Sequence, residues 1–261
     1  MRCSILRLWC FVLLCLYGPM AQAALALGQT VDRWSVTRYV EVLEDPSRQT
    51  SIDHVRTHPG WQRPQRNAFN FGLSRSVWWL RVTVYNPTQQ TVDYALDLRT
   101  TQQDYVRWWV LAPGVDRPLT GGETGDFVDF RQRPIKTRTL AIPLYLEPGA
   151  QREVYLRLDT SGTAFSILNL GLTEHELFVT KEQHKDLWTG VFYGVVGVSA
   201  LVGALWFLTM QWAPVAFFGL FVFAFGVYAS GYWGTDMQLF WPHSPELLHH
   251  SKVAAGVTAL V

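Results

Sequence analysis

The chain has 261 residues, and its 22 Lys and Arg nearly balance 21 Asp and Glu, for a formal net charge of +1. That balance gives no electrostatic footprint for nucleic acid or another polyanion, so no nucleic-acid partner is expected. All three cysteines, Cys3, Cys10 and Cys15, lie at the amino terminus, and the remainder can hold neither a disulfide nor a thiolate metal site.

The first element in chain order is a leader. Arg2 and Arg7 flank the start of an apolar run from Leu8 to Tyr17, followed by Gly18-Pro19 and the small-residue site Ala21-Gln22-Ala23. This is the layout of a secretory signal peptide over residues 1–23, cut after Ala23. The segment beginning at Ala24 is then exported to an oxidising compartment without a cysteine, so a hydrophobic core must hold it together.

Residues 24–180 read as that exported domain. Between Gln29 and Glu176, short alternating runs are separated by Gly, Pro, Asn and Asp, the punctuation of an all-β domain. The expected strands are Val36–Leu43, Val77–Asn86, Val92–Arg99, Tyr105–Leu111, Thr139–Leu146, Arg152–Asp159 and Ala164–Leu172. Their number and spacing predict an antiparallel sandwich of jelly-roll type. Ser51–Val55 predicts one short helical turn capped by Ser51, and Pro113–Pro134 a longer loop.

Residue parity assigns faces within three of these runs. Trp78, Leu80, Val82 and Val84 share one side of their strand, as do Val106, Trp108 and Val110, and Val154, Leu156 and Leu158. The opposite side then carries Trp79, Arg81, Tyr105, Arg107, Trp109, Tyr155 and Arg157. Flat aromatic rings stack on sugars and other planar ligands, and a guanidinium grips carboxylate or hydroxyl groups. These seven residues are the candidate ligand-binding face. A structural alternative stands beside it: aromatic and Arg residues pairing across strands, or a loop folded over them.

Other candidate sites are weaker. Glu123, Asp126 and Asp129 offer oxygen ligands for calcium, but their spacing fits a solvated turn better. His243, His249 and His250 are weak metal candidates without a clean ligand spacing, and His54 and His58 are followed at once by Pro59 and Gly60. No metal or other cofactor is expected. A glycan-cleaving enzyme needs two placed carboxylates, and Asp97, Asp104, Glu123, Asp126 and Asp129 provide no recognisable pair. The chain therefore reads as a binding module without catalysis.

From Leu187 to Thr235 there is no Asp, Glu, Lys or Arg. Gln211-Trp212-Ala213-Pro214 splits this run into helices of about 187–210 and 214–233, each long enough to span a bilayer. With the preceding domain exported, the first helix runs inward and the turn is cytoplasmic. The positive-inside rule points the other way, since Lys181, Lys185 and Lys252 would all lie outside. Small residues at Gly190 and Gly194, and at Gly226, Ser230 and Gly234, permit close helix packing within a bundle or across a homodimer. A third apolar stretch starts at Val253 and reaches Val261, about 14 Å of helix and under half a span. The sequence accordingly reads as the front part of a longer protein.

The order of motifs adds a family resemblance. Leu43-Glu44-Asp45 is followed by NAFNFGLSRSVWWLRVTVYNP (Asn67–Pro87), by GDFVDFRQRPIKTRTLAIPLYLEPGAQREVYLRLDTSG (Gly125–Gly162), and by GVFYGVVGVSALVGALWFLTMQ (Gly190–Gln211). In that order they resemble the bacterial 7TM-DISM receptors, seven-transmembrane receptors with diverse intracellular signalling modules, in the branch with the type 2 extracellular domain. The resemblance runs from about Val40 to the end of the chain. It implies a periplasmic sandwich similar to carbohydrate-binding modules, seven helices in the bacterial inner membrane, and a cytoplasmic output domain, commonly a diguanylate cyclase or histidine kinase. The expected function is the sensory and membrane-spanning front end of such a receptor, with an unidentified periplasmic small molecule, glycan or protein as partner. The alternative is a membrane-anchored protein-interaction module with no signalling output.

Overall fold

The computed structural model describes residues 24–27, 36–64, 69–160, 165–239 and 243. The expected leader, the third apolar stretch, His249 and His250 lie outside the described residues. Eleven strands are described, β1 (Leu25–Ala26), β2 (Val40–Asp45), β3 (Phe69–Leu73), β4 (Val77–Tyr85), β5 (Val92–Asp97), β6 (Tyr105–Leu111), β7 (Thr120–Thr124), β8 (Ala141–Leu146), β9 (Gln151–Asp159), β10 (Phe165–Leu168) and β11 (Gly171–Glu174). One sheet is ordered β1-β4-β9-β6-β7, with β2 on the same edge of β4 as β1; a second is β11-β5-β8, and β10 pairs with β3. All of these pairings are antiparallel except β1 with β4. The fold is a β-sandwich followed by long apolar helices.

Period-two alternation explains the core. Leu80, Val82, Trp108, Leu156 and Leu158 from the first sheet meet Leu96, Ile142, Leu144 and Leu172 from the second, and all are buried. Asn86 staples one end of this core. Its side-chain amide donates to the carbonyls of Gln90 at 2.8 Å, Leu146 at 3.1 Å and Glu147 at 3.0 Å, so no buried amide is left unmade at the turn.

The structure adjusts several expected elements. Val36–Tyr39 forms a 3-10 turn before β2, and the expected strand Ala164–Leu172 divides into β10 and β11. The expected loop Pro113–Pro134 contains β7 and a 3-10 turn at Phe130–Gln132. Gly121 and Gly122 look like breakers in sequence, but the close approach of β6 requires them. A Cβ on Gly121 would stand 2.8 Å from the Trp108 carbonyl oxygen, and one on Gly122 3.2 Å from its indole. The short helix predicted near Ser51 is α1 (Ile52–Arg56); the Ser51 hydroxyl engages His54 Nδ1 at 2.9 Å rather than capping a backbone N–H.

β11 runs without a linker into α2 (His175–Met210), a 36-residue helix. At 1.5 Å per residue it is about 54 Å long, well beyond the ~30 Å of hydrocarbon, so its first turns stand clear of a bilayer. It begins before the expected Leu187 because His175–Asp186 is helical but polar, burying only Phe178 and Glu182 against the sandwich. Gln211 in the left-handed region, at φ 50°, closes α2, and α3 (Ala213–Trp233) starts with Pro214 in its first turn. Gly203 and Gly219 let the helices touch, a Cβ on Gly203 standing 3.3 Å from the Gly219 Cα. α4 (Thr235–Leu239) comes next, with Thr235, Asp236 and Met237 buried.

Trp79 is fully buried. Trp79→Ala is therefore expected to lower unfolding free energy by about 3–5 kcal/mol, against under about 0.5 kcal/mol for the exposed Arg107→Ala. Equilibrium denaturation of the two variants checks this; similar values for both would contradict the packing described.

Candidate functional site

Parity placed seven residues on the outer face of the large sheet, and the structure covers that face. Trp79 and Tyr155 retain 0% and 1% of their accessible surface. Of the two readings the sequence left open, Trp79 and Tyr155 follow the covered one. The cause is α1 and the segment after it: Val55 packs with Leu43, Val77, Trp79, Leu111 and Tyr155, and Trp61 and Ile52 close over them. The segment is held down by backbone bonds between Val42 and Gln62, at 2.8 and 2.9 Å, and by the Trp61 indole donating to the Val55 carbonyl at 2.9 Å.

The other five residues are partnered. Trp109 stacks on Trp79 with ring centroids 5.4 Å apart, and Tyr105 on Phe127 at 5.6 Å. Arg81 donates twice to Glu41 Oε2, at 2.9 and 2.6 Å, and its guanidinium lies 4.5 Å from the Trp61 ring centroid. Arg107 pairs across the strands with Glu123 at 2.8 Å, at an exposed position. Arg157 donates to the Arg48 carbonyl at 3.0 Å and to Asp159 at 3.3 Å, tying the chain before α1 to β9.

At the margin of this cover a polar cleft of about 470 Å³ remains. Asp53, Arg56 and Thr57 from α1 and its end form one wall, Arg81, Glu153 and Tyr155 the other, and Asp116 closes one side. Arg56 reaches Asp116 at 3.0 Å, and the Tyr155 hydroxyl donates to Glu153 Oε2 at 3.0 Å. Burial, reinforced by the Glu153 charge, raises the Tyr155 phenol above its ordinary range, so it stays a neutral donor. Of the seven expected residues, only Arg81 and Tyr155 line the cleft. Asp53, Arg56, Asp116 and Glu153 were missed, because nothing in their spacing says that a helical turn would fold over the aromatic face.

The acidic loop and the described histidine resolve differently. Glu123 pairs with Arg107, and Asp129 accepts from the Arg131 N–H at 2.8 Å. Buried Asp126 lies in the field of Arg133. His243 lies beside Asp129, at 3.6 Å. Among the described residues, no three such side chains gather where a metal ion could sit.

A second constellation joins the sandwich to the helices. Arg138, 6% exposed, ion-pairs with Asp186 of α2 at 2.6 Å and donates to Thr189 at 3.1 Å and to Thr235, just past α3, at 3.3 Å. The Tyr232 carbonyl at the end of α3 accepts from Thr101 Oγ1 at 3.2 Å and Gln102 Nε2 at 3.3 Å, so a loop of the sandwich caps a helix terminus. Arg133 donates to the Thr137 and Arg138 carbonyls at 2.9 and 2.8 Å and contacts Met237 Sδ at 3.4 Å; burial pulls its pKa down to about 10. Gly226 and Ser230 pack inside the hairpin, whereas Gly190 and Gly194 face open space.

No curated protein matches the sequence. Residues 37–171, just over half of the chain, match the family described as 7TMR-DISM extracellular 2. The chain belongs to this family. Among solved structures, TmCBM61 in complex with β-1,4-galactotriose is 11% identical, with a TM-score of 0.27, over 52% of this chain and 88% of that one. A β-glucosidase from Kluyveromyces marxianus in complex with glucose is 14% identical, with a TM-score of 0.29, over 70% of this chain and 20% of that one. The chain thus spans about a fifth of that enzyme. The non-crystalline cellulose specific carbohydrate-binding module CBM28 is 8% identical, with a TM-score of 0.23, over 40% and 70% of the two chains.

With a 7TMR-DISM extracellular 2 domain and two helices long and apolar enough to cross a bilayer, the chain is a membrane protein whose N-terminal domain is extracellular. The family match ends at Gly171, the first residue of β11, and α2 follows that strand at His175. Between that domain and α2 lies a carboxylate pair. Burial raises Asp97 to about 6 from 3.8; the Arg99 N–H, bonded at 2.6 Å, pulls it back, and the charge of Glu182 pushes it further up. The folded state therefore holds the proton more tightly than the unfolded chain. This contribution to stability is complete below pH 3.8 and is lost as pH rises through about 6. Asp97→Asn should flatten the decline in melting temperature over that window and stabilise the protein at pH 7 by up to about 3 kcal/mol. Thermal melts at pH 4, pH 6 and pH 7 test it, and an unchanged slope between the first two would contradict the assignment.

Proposed function

We propose that this chain is the sensory and membrane-spanning front end of a bacterial transmembrane signalling receptor. The sandwich would lie in the periplasm, with α2 running inward through the inner membrane and α3 returning. Ligand capture by the sandwich would shift the packing of the helices, and so the state of a cytoplasmic output domain beyond the residues of this chain. Such a shift requires a ligand that binds the two packing states with different affinity. The observation that carries this reading is the joint: β11 continues into α2 without a linker, and one buried guanidinium holds both ends of the hairpin. A domain that merely anchored itself would not need so rigid a connection.

The ligand would sit in the cleft between α1 and β9. Its wall of alternating carboxylates and guanidiniums, with a neutral phenol and no open aromatic face, suits a small hydroxyl-rich, glycan-like molecule held by hydrogen bonds. A second reading, a protein-interaction module, is favoured by one feature. β7 is a terminal strand with Thr120, Gly121 and Gly122 exposed, and Val115 and Leu119 stand exposed beside it.

The test is thermal shift and tryptophan fluorescence of the chain in detergent against sugars, organic acids and muropeptides. A saturable change with a hydroxyl-rich member is expected, weakened about tenfold or more in Arg56→Gln, whose side chain is 14% exposed and pairs with the exposed Asp116. A response that Arg56→Gln leaves intact would remove the cleft from the proposal. No response to any member would favour docking on β7.

A further inference from the structure

The joint encloses a second space, distinct from the ligand cleft. A crevice of about 600 Å³ opens between the loop Arg99–Gln102, the Arg138–Thr139 segment and the facing sides of α2 and α3. A smaller recess adjoins it, sharing Arg99, Glu182 and Lys185 and adding Lys181 and His184. Its height relative to a bilayer is set by the sequence. Lys185 and Asp186 are the last charged residues of α2, and the charge-free run begins at Leu187, so the floor of the crevice lies where hydrocarbon begins and its roof lies among headgroups.

The lining changes chemistry across that plane. On the membrane side stand Trp188, 72% exposed, Tyr232, 60% exposed, and Trp233, 38% exposed, side chains that settle at bilayer interfaces. On the domain side are Arg99, Arg138, Lys181 and Lys185, against the carboxylates of Asp97 and Glu182, with Asp186 on Arg138. Four cations thus face three carboxylates. Arg99 is fixed at this edge. Its backbone is left-handed, at φ 49°, with its N–H bonded to Asp97 Oδ1 at 2.6 Å, and its guanidinium lies so close over Gly171 that a Cβ there would stand 2.9 Å from Nε. A non-glycine residue held in that conformation is a recurrent mark of a functional position. Glu182 is occupied by Thr139, at 2.9 Å, and by Lys185. The exposed Lys185 amine can therefore reach a second anion while Thr139 retains Glu182.

We propose that this crevice holds the headgroup of an anionic glycerophospholipid from the outer leaflet. The phosphate would lie between Arg99 and Lys185, with the acyl chains along Trp188 and Phe192 of α2. The bilayer is the source that fits, because the aromatic floor would be of no use to a free phosphate ion. A lipid wedged between the sandwich and the hairpin would make the joint sensitive to the composition of its membrane. The inference does not depend on the ligand cleft.

Native mass spectrometry of the full chain in detergent tests it, by titration with phosphatidylglycerol and with phosphatidylcholine of the same acyl chains. Wild type should retain phosphatidylglycerol preferentially. The preference should fall roughly fivefold for each charge removed in Lys185→Gln and in Arg99→Gln with Lys185→Gln, and persist in Lys185→Arg and in the remote Arg107→Gln. Lys185 is well exposed, and a glutamine there can still donate to Glu182, which Thr139 also holds, so the single variant serves if the double variant fails to fold. Equal retention of the two lipids by wild type, or an undiminished preference in Lys185→Gln, would overturn the proposal. Displacement of the lipid by millimolar inorganic phosphate would assign the site to the free ion and would also overturn it.

Discussion

A guanidinium removed from water must be matched by partners, and Arg138 draws them from two helical segments that follow it in the chain. Asp186 and Thr189 belong to α2 and Thr235 lies just past α3, so a single buried charge fixes where the hairpin stands beneath the sandwich. Arg138 is buried while Asp186 is partly exposed, so losing these partners leaves an under-matched guanidinium at a cost of about 1–3 kcal/mol. Drift of the hairpin from the sandwich carries that penalty. The capping of Tyr232 by Thr101 and Gln102, and the direct passage from β11 to α2, act in the same direction.

The polar cleft lies over the outer face of the large sheet and the joint beside the second sheet, with the core between them. β9 presents Glu153 and Tyr155 toward the cleft, while Val154, Leu156 and Leu158 point into the core. There they pack with Leu96 of β5 and Ile142 and Leu144 of β8, the strands that carry Asp97 and lead from Thr139 to the joint. A close-packed interior transmits displacement rather than absorbing it. Under the proposed function, these packed contacts are the ones through which ligand capture would reach the helices.

How much of this the sequence disclosed depended on whether the information was local. Alternation in Val77–Tyr85, Tyr105–Leu111 and Gln151–Asp159 assigned inward and outward sides correctly, and the charge-free run located both apolar helices. The motif order identified the family that residues 37–171 match. Alternation could not tell outward from exposed. Trp79 and Tyr155 do face away from the main core, but a second small core forms over them, because α1 and Trp61 return to the sheet through contacts that no local pattern encodes. Hydropathy likewise placed the start of the first helix at the membrane rather than at His175, since the extra turns are polar and are stabilised by Phe178 and Glu182 against the sandwich. Nothing local in the sequence singles out Arg138. Its role rests on two helices that arrive long after it in sequence.

Sandwich and hairpin thus form one mechanical unit held by Arg138. The most direct test is pulsed electron–electron double resonance between spin labels at Gln89→Cys, in the exposed turn between β4 and β5, and Met210→Cys, at the far end of α2, with Cys3, Cys10 and Cys15 replaced by serine. A single narrow distance distribution is expected, broadening markedly when Arg138 is changed to Met. A distribution already broad with Arg138 in place, or one that Arg138→Met leaves unchanged, would contradict it.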